Sequence, residues 1–338
     1  MNWKILSNNS KPENVSQEWM LEEHIPPWRR PSEMRKEDKR EDAPPLRTKD
    51  KERGEVYVMP PSDESTNRSY AFINAALMLR RPILVKGAAG IGKSSLANYL
   101  AYILGLGAPL TWPINSKSTL QDGLYHYDAV GHLSAARTKK EHSVQISDYI
   151  RLNALGTALL PWSKPRVLLI DEIDKSSYDL PNDLLYILEE GQFTIPELVR
   201  TKSDDSFTIQ TSDILESGKQ GEHLIPSGGV VEMYHPPVIV MTSNNERDFS
   251  DAFLRRCIVL DFDLHTPDAL WTIVKRHLQG ESFSQADQEA RSIEDFRSFF
   301  DELVEDNLPT DKVLQAMFLI AHGEQTRDID SIKDILDR

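Results

Sequence analysis

A glycine-rich segment between an apolar run and a helical pattern constrains the fold of this chain more than any other feature. The segment Gly87–Ser94 reads GAAGIGKS and fits the pattern G-x-x-x-x-G-K-[ST]. The run Pro82–Val85 before it reads as a short buried strand, and residues 94–104 after it have the pattern of a helix. A strand, this turn and a helix in that order predict a phosphate-binding loop in a parallel sheet that helices cover.

The residue types of this loop each have a chemical reason to be there. Glycines let backbone N–H groups turn inward and approach phosphate oxygens without a Cβ in the way. The helix that follows directs its positive end at the same anion. Lys93 would reach the β- and γ-phosphates, and the Ser94 hydroxyl would bind Mg²⁺. The loop therefore predicts ATP and Mg²⁺ as cofactors, and the alternative is a glycine-rich turn that carries Lys-Ser by chance. The predicted nucleotide contacts are Gly87, Ala88, Ala89, Gly90, Ile91, Gly92, Lys93, Ser94 and Ser95.

A second apolar run ends in carboxylates. The strand pattern of 166–170 is followed by Asp171 and Glu172. Because ligands bind at the carboxyl ends of strands in open α/β sheets, Asp171 is expected beside the loop, where it holds Mg²⁺ mainly through its water shell. Glu172 can then orient and deprotonate the attacking water. An acidic helix cap is the alternative, and Asp174 is assigned to that capping role. The pair predicts an ATPase that converts ATP and water to ADP and phosphate.

The remaining pattern indicates an α/β chain with a helical end. Apolar runs at 110–114, 238–242 and 258–262 predict further strands of a parallel sheet sandwiched by helices. After residue 264 the strand patterns stop. Helices are predicted at 267–278, 286–304, 311–321 and 329–336. We therefore divide the chain into an α/β core, 57–264, and an all-α domain, 265–338.

Residues 1–56 are predicted to form an N-terminal extension. Its stretch 26–55 is rich in proline and in charges of both signs, which predicts a solvated linker, with a docking arm as the alternative. A short helix is predicted at 17–23. The start of the chain lacks the long apolar stretch of a secretory signal.

Composition narrows the class of protein further. No apolar run reaches the roughly 20 residues that span a bilayer, and a single cysteine, Cys257, excludes an internal disulfide framework. These features predict a cytoplasmic protein with no membrane partner. The net charge is −14, from 39 basic and 53 acidic residues, which disfavours nucleic acid as a partner. The nine histidines form no zinc-binding pattern.

The motifs together resemble one family. The phosphate loop, the DEID sequence at 171–174, the Ser-Asn-Asn sequence at 243–245 and the segment Phe253–Cys257 look like the AAA+ superfamily of P-loop NTPases. The MoxR-like and dynein-related branch is the most similar, over roughly 57–278. The resemblance implies an AAA+ core, a C-terminal all-α lid domain, and a ring-forming homo-oligomer, most often a hexamer.

The resemblance also implies roles for individual residues. Asn244 would be the polar sensor that holds the attacking water, although an ordinary turn residue is the alternative. Arg256, or its neighbour Arg255, would be an arginine finger that acts in the site of a neighbouring subunit. The alternative for this pair is solubility, or an ion pair with Asp251 or Glu246.

Two further features follow the family only loosely. Lys312 stands where the family carries an arginine in a lid helix, so either it contacts the nucleotide or it is a surface lysine. The inserts 122–150 and 200–230 fall where MoxR-like proteins have pore-facing elements. Four residues of the first insert would line the pore or simply pack a hairpin: Tyr125, His126, Tyr127 and His132.

The predicted function is an ATP-driven motor or chaperone that remodels a partner protein. The resemblance implies a partner that often carries a von Willebrand A domain, and related ATPases occur in bacterial conflict and defence systems. A nucleotide-dependent interaction switch with little turnover is the first alternative. A P-loop kinase is the second, and it would have no use for Asn244 or for Arg255 and Arg256.

Overall fold

The computed structural model describes residues 3–29, 41–63, 65–138, 144–201, 204–278, 297, 300–304 and 308–322. The strands are β1 (Ile83–Lys86), β2 (Leu110–Pro113), β3 (Tyr125–Tyr127), β4 (Ile150–Leu152), β5 (Val167–Asp171), β6 (Gln192–Thr194), β7 (Phe207–Ile214), β8 (Gln220–Ile225), β9 (Val230–Glu232), β10 (Val238–Ser243) and β11 (Ile258–Asp261). The α-helices are α1 (Thr48–Val56), α2 (Thr66–Leu79), α3 (Ser95–Leu104), α4 (Leu120–Leu124), α5 (Ala129–Thr138), α6 (Ala154–Ala158), α7 (Leu180–Glu190), α8 (Pro196–Arg200), α9 (Asp251–Leu254), α10 (Pro267–Leu278) and α11 (Thr310–His322).

A parallel central sheet organises the molecule. Its strand order is β11-β1-β10-β5-β2, and every neighbouring pair runs parallel. Successive residues of a strand face opposite sides of a sheet, so the apolar strands supply two cores. Leu84 and Met241 pack on one side, while Val85 and Val240 pack on the other. The prediction of a parallel sheet sandwiched by helices is confirmed.

The strand order brings three chain segments to one edge of the sheet. β10 lies between β1 and β5, with Val85 opposite Thr242 and Ile170 opposite Met241. The glycine-rich loop follows β1, the acidic pair ends β5, and Asn244 follows β10. Because all three strands run parallel, these segments meet at their carboxyl ends.

The two predicted inserts come together in a side sheet with the order β3-β4-β7-β8. β7 and β8 form an antiparallel hairpin, and Arg151 of β4 lies opposite Gln210 of β7. A fully buried ion pair ties this hairpin to the central sheet, since Arg166 contacts Asp213 at 2.6 and 3.0 Å. Arg166 also donates to the Ala108 carbonyl at 2.9 Å.

The helical C-terminal part has its own apolar cluster. Leu270 and Val274 of α10 pack with Phe300 and with Val313 and Met317 of α11. The helices predicted at 267–278 and 311–321 are confirmed. The helix predicted at 286–304 is described only at 297 and 300–304, where the residues are helical, and the one predicted at 329–336 lies outside the described residues. None of the helices that the structure describes is long and apolar enough to cross a membrane.

The N-terminal residues 3–29 pack onto the core instead of leaving it. Leu6, Trp19 and Ile25 are buried. Asn74 of α2 holds the Leu6 backbone at both ends, since its Oδ1 accepts the Leu6 N–H and its Nδ2 donates to the Leu6 carbonyl, each at 2.8 Å. The short helix predicted at 17–23 is replaced by two 3₁₀ turns, 18–20 and 22–24.

The predicted linker 26–55 is wrong at its C-terminal end, because helix α1 begins at residue 48. α1 packs on α3 with Gly54 against Tyr102, and Glu55 accepts a hydrogen bond from the Tyr102 hydroxyl at 3.2 Å. Arg47 and Asp50 form an ion pair at 2.6 Å. These contacts rest on a glycine and on charges, so the apolar periodicity that marks a packed helix is missing from the sequence.

Gly54→Ala is expected to destabilise this contact. A Cβ at residue 54 would lie 2.5 Å from the Tyr102 Cβ, so α1 would have to shift. Overpacking of this kind costs about 1–3 kcal/mol, against the ~1 kcal/mol that alanine gains over glycine in a helix. Thermal unfolding should show a lower midpoint than wild type. Gly228→Ala is the matched control, since nothing lies within 4 Å of its added Cβ; equal midpoints for both variants would contradict the packing described.

Candidate functional site

A cleft of about 690 Å³ opens at the carboxyl edge of the central sheet. Its volume falls within the range of small-molecule and cofactor sites. The core side of the cleft includes Ala89, Gly90, Ile91, Gly92, Lys93, Ser94, Ser95, Asp171, Glu172, Thr242 and Asn244. The opposite side includes Arg47, Asp50, Arg53, Val56, Tyr57 and Val58 from the N-terminal extension and from the residues that follow it, and His265, Ile273, His277, Thr310, Asp311 and Leu314 from the C-terminal part.

The glycine-rich loop has the backbone that the motif requires. Gly87, Gly90 and Gly92 have φ values of +147°, +77° and +91°, a backbone region that residues other than glycine rarely adopt. The Lys93 ammonium donates to the carbonyls of Gly87 and Ala88 at 2.9 and 2.7 Å. Burial lowers the pKa of Lys93, and three neighbouring carboxylates oppose that shift. The loop therefore presents one cation, held by oxygen acceptors, at the floor of the cleft.

Ser94 and Asp171 meet at the point where the sequence predicts a metal. The Ser94 hydroxyl donates to Asp171 Oδ1 at 2.7 Å, and the Thr242 hydroxyl donates to the same oxygen at 2.7 Å. Hydroxyl and carboxylate oxygens suit Mg²⁺, which proteins usually bind through one or two such groups together with substrate phosphates. This donor set fits Mg²⁺, which Ser94 and Asp171 would hold. Among the described residues, no group of three or more His, Cys, Asp or Glu side chains could hold a metal ion by itself.

Glu172 has an unusual backbone conformation and contacts three polar side chains. Its φ is +60°, which costs a non-glycine residue energy and is found mostly at functional sites. Its N–H donates to the Thr242 hydroxyl at 2.8 Å. Its carboxylate lies 3.4 Å from the Asn244 amide nitrogen and 2.9 Å from the Lys175 ammonium. The hydrogen bond to Glu172 raises the pKa of Lys175. Thr242 and Lys175 were not predicted as site residues. Thr242 could have been singled out, because it is a polar residue at the end of the apolar run 238–242.

Asn244 connects Lys93 of the glycine-rich loop with Glu172 at the end of β5. Its Oδ1 accepts from the Lys93 ammonium at 2.7 Å, while its Nδ2 faces Glu172. Asp174 fixes the loop that carries it, because Asp174 Oδ2 accepts the N–H groups of Asn244 and Glu246 at 2.9 and 3.1 Å. The assignment of Asp174 to helix capping is therefore wrong. The 3₁₀ turn at 173–175 has no side-chain cap. The buried Asp174 carboxylate bonds instead to the loop after β10, the neighbour of β5 in the sheet.

The two arginines lie away from the cleft of their own chain. Arg255 and Arg256 follow α9 and are both exposed, and neither lines the cleft. Arg256 forms an ion pair with Glu189 of α7 at 2.9 Å, and not with Asp251 or Glu246, the two partners considered from the sequence.

Lys312 does not line the cleft, although three other residues of the same helix do. These are Thr310, Asp311 and Leu314. Since each residue of a helix is turned by about 100° from the one before, residues 311 and 314 share a face that 312 does not. The Asp311 carboxylate lies against Gly90, so that a Cβ on Gly90 would overlap it. A nucleotide contact by Lys312 is not supported by this arrangement.

Three of the four aromatic and histidine residues singled out in the first insert contact elements that neighbour the side sheet. Tyr125 donates to Glu197 at 3.0 Å, and burial together with this bond raises the pKa of Tyr125 to about 12. The Tyr127 hydroxyl is 2.7 Å from His132 Nδ1, and the His132 ring lies 5.0 Å from that of Tyr149. His126 is exposed. The packing alternative therefore describes three of the four residues.

His265 lines the cleft as a neutral group. Burial lowers its pKa to about 4, and a hydrogen bond to the backbone of Ile91 only partly opposes that shift. The imidazole therefore adds no positive charge to the cleft near neutral pH. The sequence patterns gave no reason to single it out, because its position depends on the fold of the segment after β11.

The fold and site define a P-loop nucleotide-binding protein of the AAA+ class. The family model for the AAA domain of the dynein-related subfamily matches residues 82–257, just over half of the chain. The chain belongs to this family. The predicted resemblance to the AAA+ superfamily and to its dynein-related branch is thereby confirmed.

Solved structures of AAA+ proteins show a more distant likeness. Three mutants of RuvB from Thermotoga maritima are 15%, 15% and 14% identical to this chain, with TM-scores of 0.37, 0.40 and 0.39. The alignments cover 80%, 79% and 80% of this chain and 68%, 66% and 66% of those structures. A search of the curated proteins gave no match.

Proposed function

We propose that this chain binds MgATP in the cleft and hydrolyses it. The observation that carries the proposal is one connected cluster of polar groups from three strand ends. Ser94 and Thr242 bond to Asp171, Thr242 also bonds to Glu172, and Asn244 bridges Glu172 and Lys93. These six groups therefore form one network in which each lies within hydrogen-bonding reach of the next.

The roles follow from the chemistry of each group. Lys93 would neutralise the β- and γ-phosphates, and Ser94 with Asp171 would hold Mg²⁺. When bound, Mg²⁺ supplies charge neutralisation on the phosphate oxygens. Glu172 would take a proton from the attacking water while the water oxygen bonds to the γ-phosphorus. The bond between the γ-phosphorus and the β–γ bridging oxygen would break, giving ADP and phosphate. Asn244, beside Glu172, would orient that water.

The exposed arginines support a composite site formed by two chains. Charge develops on the γ-phosphoryl group during transfer, and a guanidinium stabilises it well. Arg255 and Arg256 are exposed and lie outside the cleft of their own chain. We therefore place Arg256 in the site of a neighbouring subunit in a ring, most often a hexamer in this family.

The biological role that we propose is that of a MoxR-like motor or chaperone in the cytoplasm. Its substrate would be a partner protein, which in that branch often carries a von Willebrand A domain, within a bacterial conflict or defence system. Helix α5, which follows β3 of the side sheet, offers a surface for such contacts, because its Val130 and Leu133 are 75% and 62% exposed.

A switch with little turnover is the second candidate. The ion pair between Lys175 and Glu172 favours it, since a carboxylate that bonds to an ammonium is less available as a base. In that case ATP would hold the chain in one conformation and recruit a partner.

Lys93→Ala tests the nucleotide site itself. Removing one partner of a close charge pair costs about 2–5 kcal/mol, and 2 kcal/mol corresponds to roughly 30-fold in affinity. Titration with a fluorescent ATP analogue should show at least this loss. Lys117→Ala is the control, because Lys117 is exposed and does not line the cleft. Wild-type affinity in Lys93→Ala would mean that the nucleotide binds elsewhere. The kinase alternative is tested separately, and a wild-type protein that stays monomeric with ATP and phosphorylates an acceptor would favour it.

A further inference from the structure

The turn between α2 and β1 carries two arginines, Arg80 and Arg81, and Arg81 belongs to none of the motifs described above. α2 ends at Leu79, and Arg80 takes the left-handed conformation with φ +52°. The Arg81 side chain then crosses to the segment after α9. Its Nε donates to the Arg256 carbonyl at 3.2 Å, and its Nη2 donates to the Cys257 carbonyl at 2.8 Å and to the Arg255 carbonyl. One guanidinium therefore holds three consecutive carbonyl groups.

The three carbonyls lie where backbone acceptors lack partners of their own. α9 is only one turn long and ends at Leu254, so the carbonyls that follow it have no helical donors. Cys257 is buried, and the next residue enters β11 through a hydrogen bond from the Ile258 N–H to the Pro82 carbonyl at 2.8 Å. Arg81 thus fixes the backbone of Arg255–Cys257 from one side while the sheet fixes its far end.

The side chain of Arg256 is held as well as its backbone. Glu189 of α7 pairs with Arg256 at 2.9 Å. Arg29 is a further neighbour of this group. Burial lowers the pKa of Arg29, the charge of Glu189 opposes that shift, and the charges of Arg81 and Arg256 add to it. Arg81 therefore contacts the backbone of Arg256 and Glu189 contacts its side chain, while Arg256 remains exposed at the surface of the chain.

We infer that Arg81 is a positioning residue for the arginine finger Arg256. It would act through the backbone of 255–257, without touching the nucleotide of its own chain. The inference rests on the proposed function, in which Arg256 completes the site of a neighbouring subunit. A planar fork with five donors can bond to several carbonyls at once, whereas the single ammonium of lysine cannot reproduce that geometry.

A positioning role makes a prediction that a merely structural role does not. The Arg81→Met subunit should keep a working cleft and lose only its ability to serve its neighbour. Its MgATP affinity should equal that of wild type, while its rate of phosphate release falls by at least ~10-fold, a part of the ~10³- to 10⁵-fold that arginine fingers contribute.

Mixing subunits tests where the defect lies. Glu172→Gln subunits lack the base in their own site but keep an intact finger. Added to Arg81→Met subunits, they should raise the rate of phosphate release per Arg81→Met subunit, as they should for Arg256→Ala. Arg81→Lys should show the same rescue from a smaller defect, which keeps the test valid if Arg81→Met unfolds. Arg68→Met, whose arginine pairs with the exposed Asp63, is the control and should match wild type.

Each outcome decides a separate point. If Arg256→Ala is slow but Arg81→Met and Arg81→Lys match wild type, Arg81 does not position the finger. If their rates only fall in proportion to dilution by Glu172→Gln subunits, the defect lies in their own cleft and the inference is overturned. If the wild type releases no phosphate at any concentration, the proposed hydrolysis fails, and the inference fails with it.

Discussion

Glu172→Gln is expected to lower the rate of ATP hydrolysis by about 10²- to 10⁴-fold, the contribution typical of general acid–base catalysis. Glutamine keeps the size and the polar contact with Asn244, but it cannot accept the proton of the attacking water. MgATP binding should persist, because Lys93, Ser94 and Asp171 carry the contacts to phosphate and metal. Phosphate release and titration with a fluorescent ATP analogue measure the two effects separately.

The control for this prediction is Glu190→Gln. Glu190 ends α7, is exposed and does not line the cleft, so the variant should hydrolyse ATP at the wild-type rate. Hydrolysis by Glu172→Gln at the wild-type rate would mean that another group is the base. A wild type as slow as Glu172→Gln, even when concentrated or with its partner, would favour the switch over the motor.

Breaking the buried ion pair of Arg166 and Asp213 is expected to have the largest effect on stability. Arg166 is fully buried and Asp213 is nearly so, and the guanidinium also lies 4.8 Å from the Trp162 ring centre. Removing one partner leaves an uncompensated buried charge, which costs about 3–5 kcal/mol. Asp213→Ala should therefore lower the free energy of unfolding by that amount, measured by urea titration followed by circular dichroism.

Two comparisons make this stability prediction specific. The double variant Arg166→Met with Asp213→Leu should recover much of the loss, because apolar replacements of a buried pair are often neutral. Arg68→Ala should cost less than ~1 kcal/mol, since its ion pair with Asp63 is exposed. If Asp213→Ala and Arg68→Ala cost the same, the buried pair does not hold the β7–β8 hairpin to the central sheet.

The sequence alone predicted the parts of the site that depend on local pattern. Gly87–Ser94, Asp171 and Glu172 lie in short motifs between elements whose periodicity is clear. The adjacency of β1, β10 and β5 then brings Asn244 to Lys93. These predictions needed only that apolar runs form parallel strands and that their carboxyl ends meet.

The parts that were missed depend on contacts between distant segments. Asp174 bonds to a loop 70 residues away in the chain, and Arg81 bonds to carbonyls 174 to 176 residues away. The direction of the Lys312 side chain depends on which face of α11 packs against the cleft. Pattern within a window of residues does not contain this information, because it is set by how the elements pack.

The N-terminal extension has a consequence for how the protein can be divided. Residues 3–29 bury apolar groups against α2 and α3, and α1 supplies one wall of the cleft. Both lie outside the segment 82–257 that the family model matches. A fragment cut at those limits would expose a face of α3 to water and would leave its nucleotide bound on fewer sides. The packed core and the walls of the cleft therefore extend beyond the segment that the family model matches.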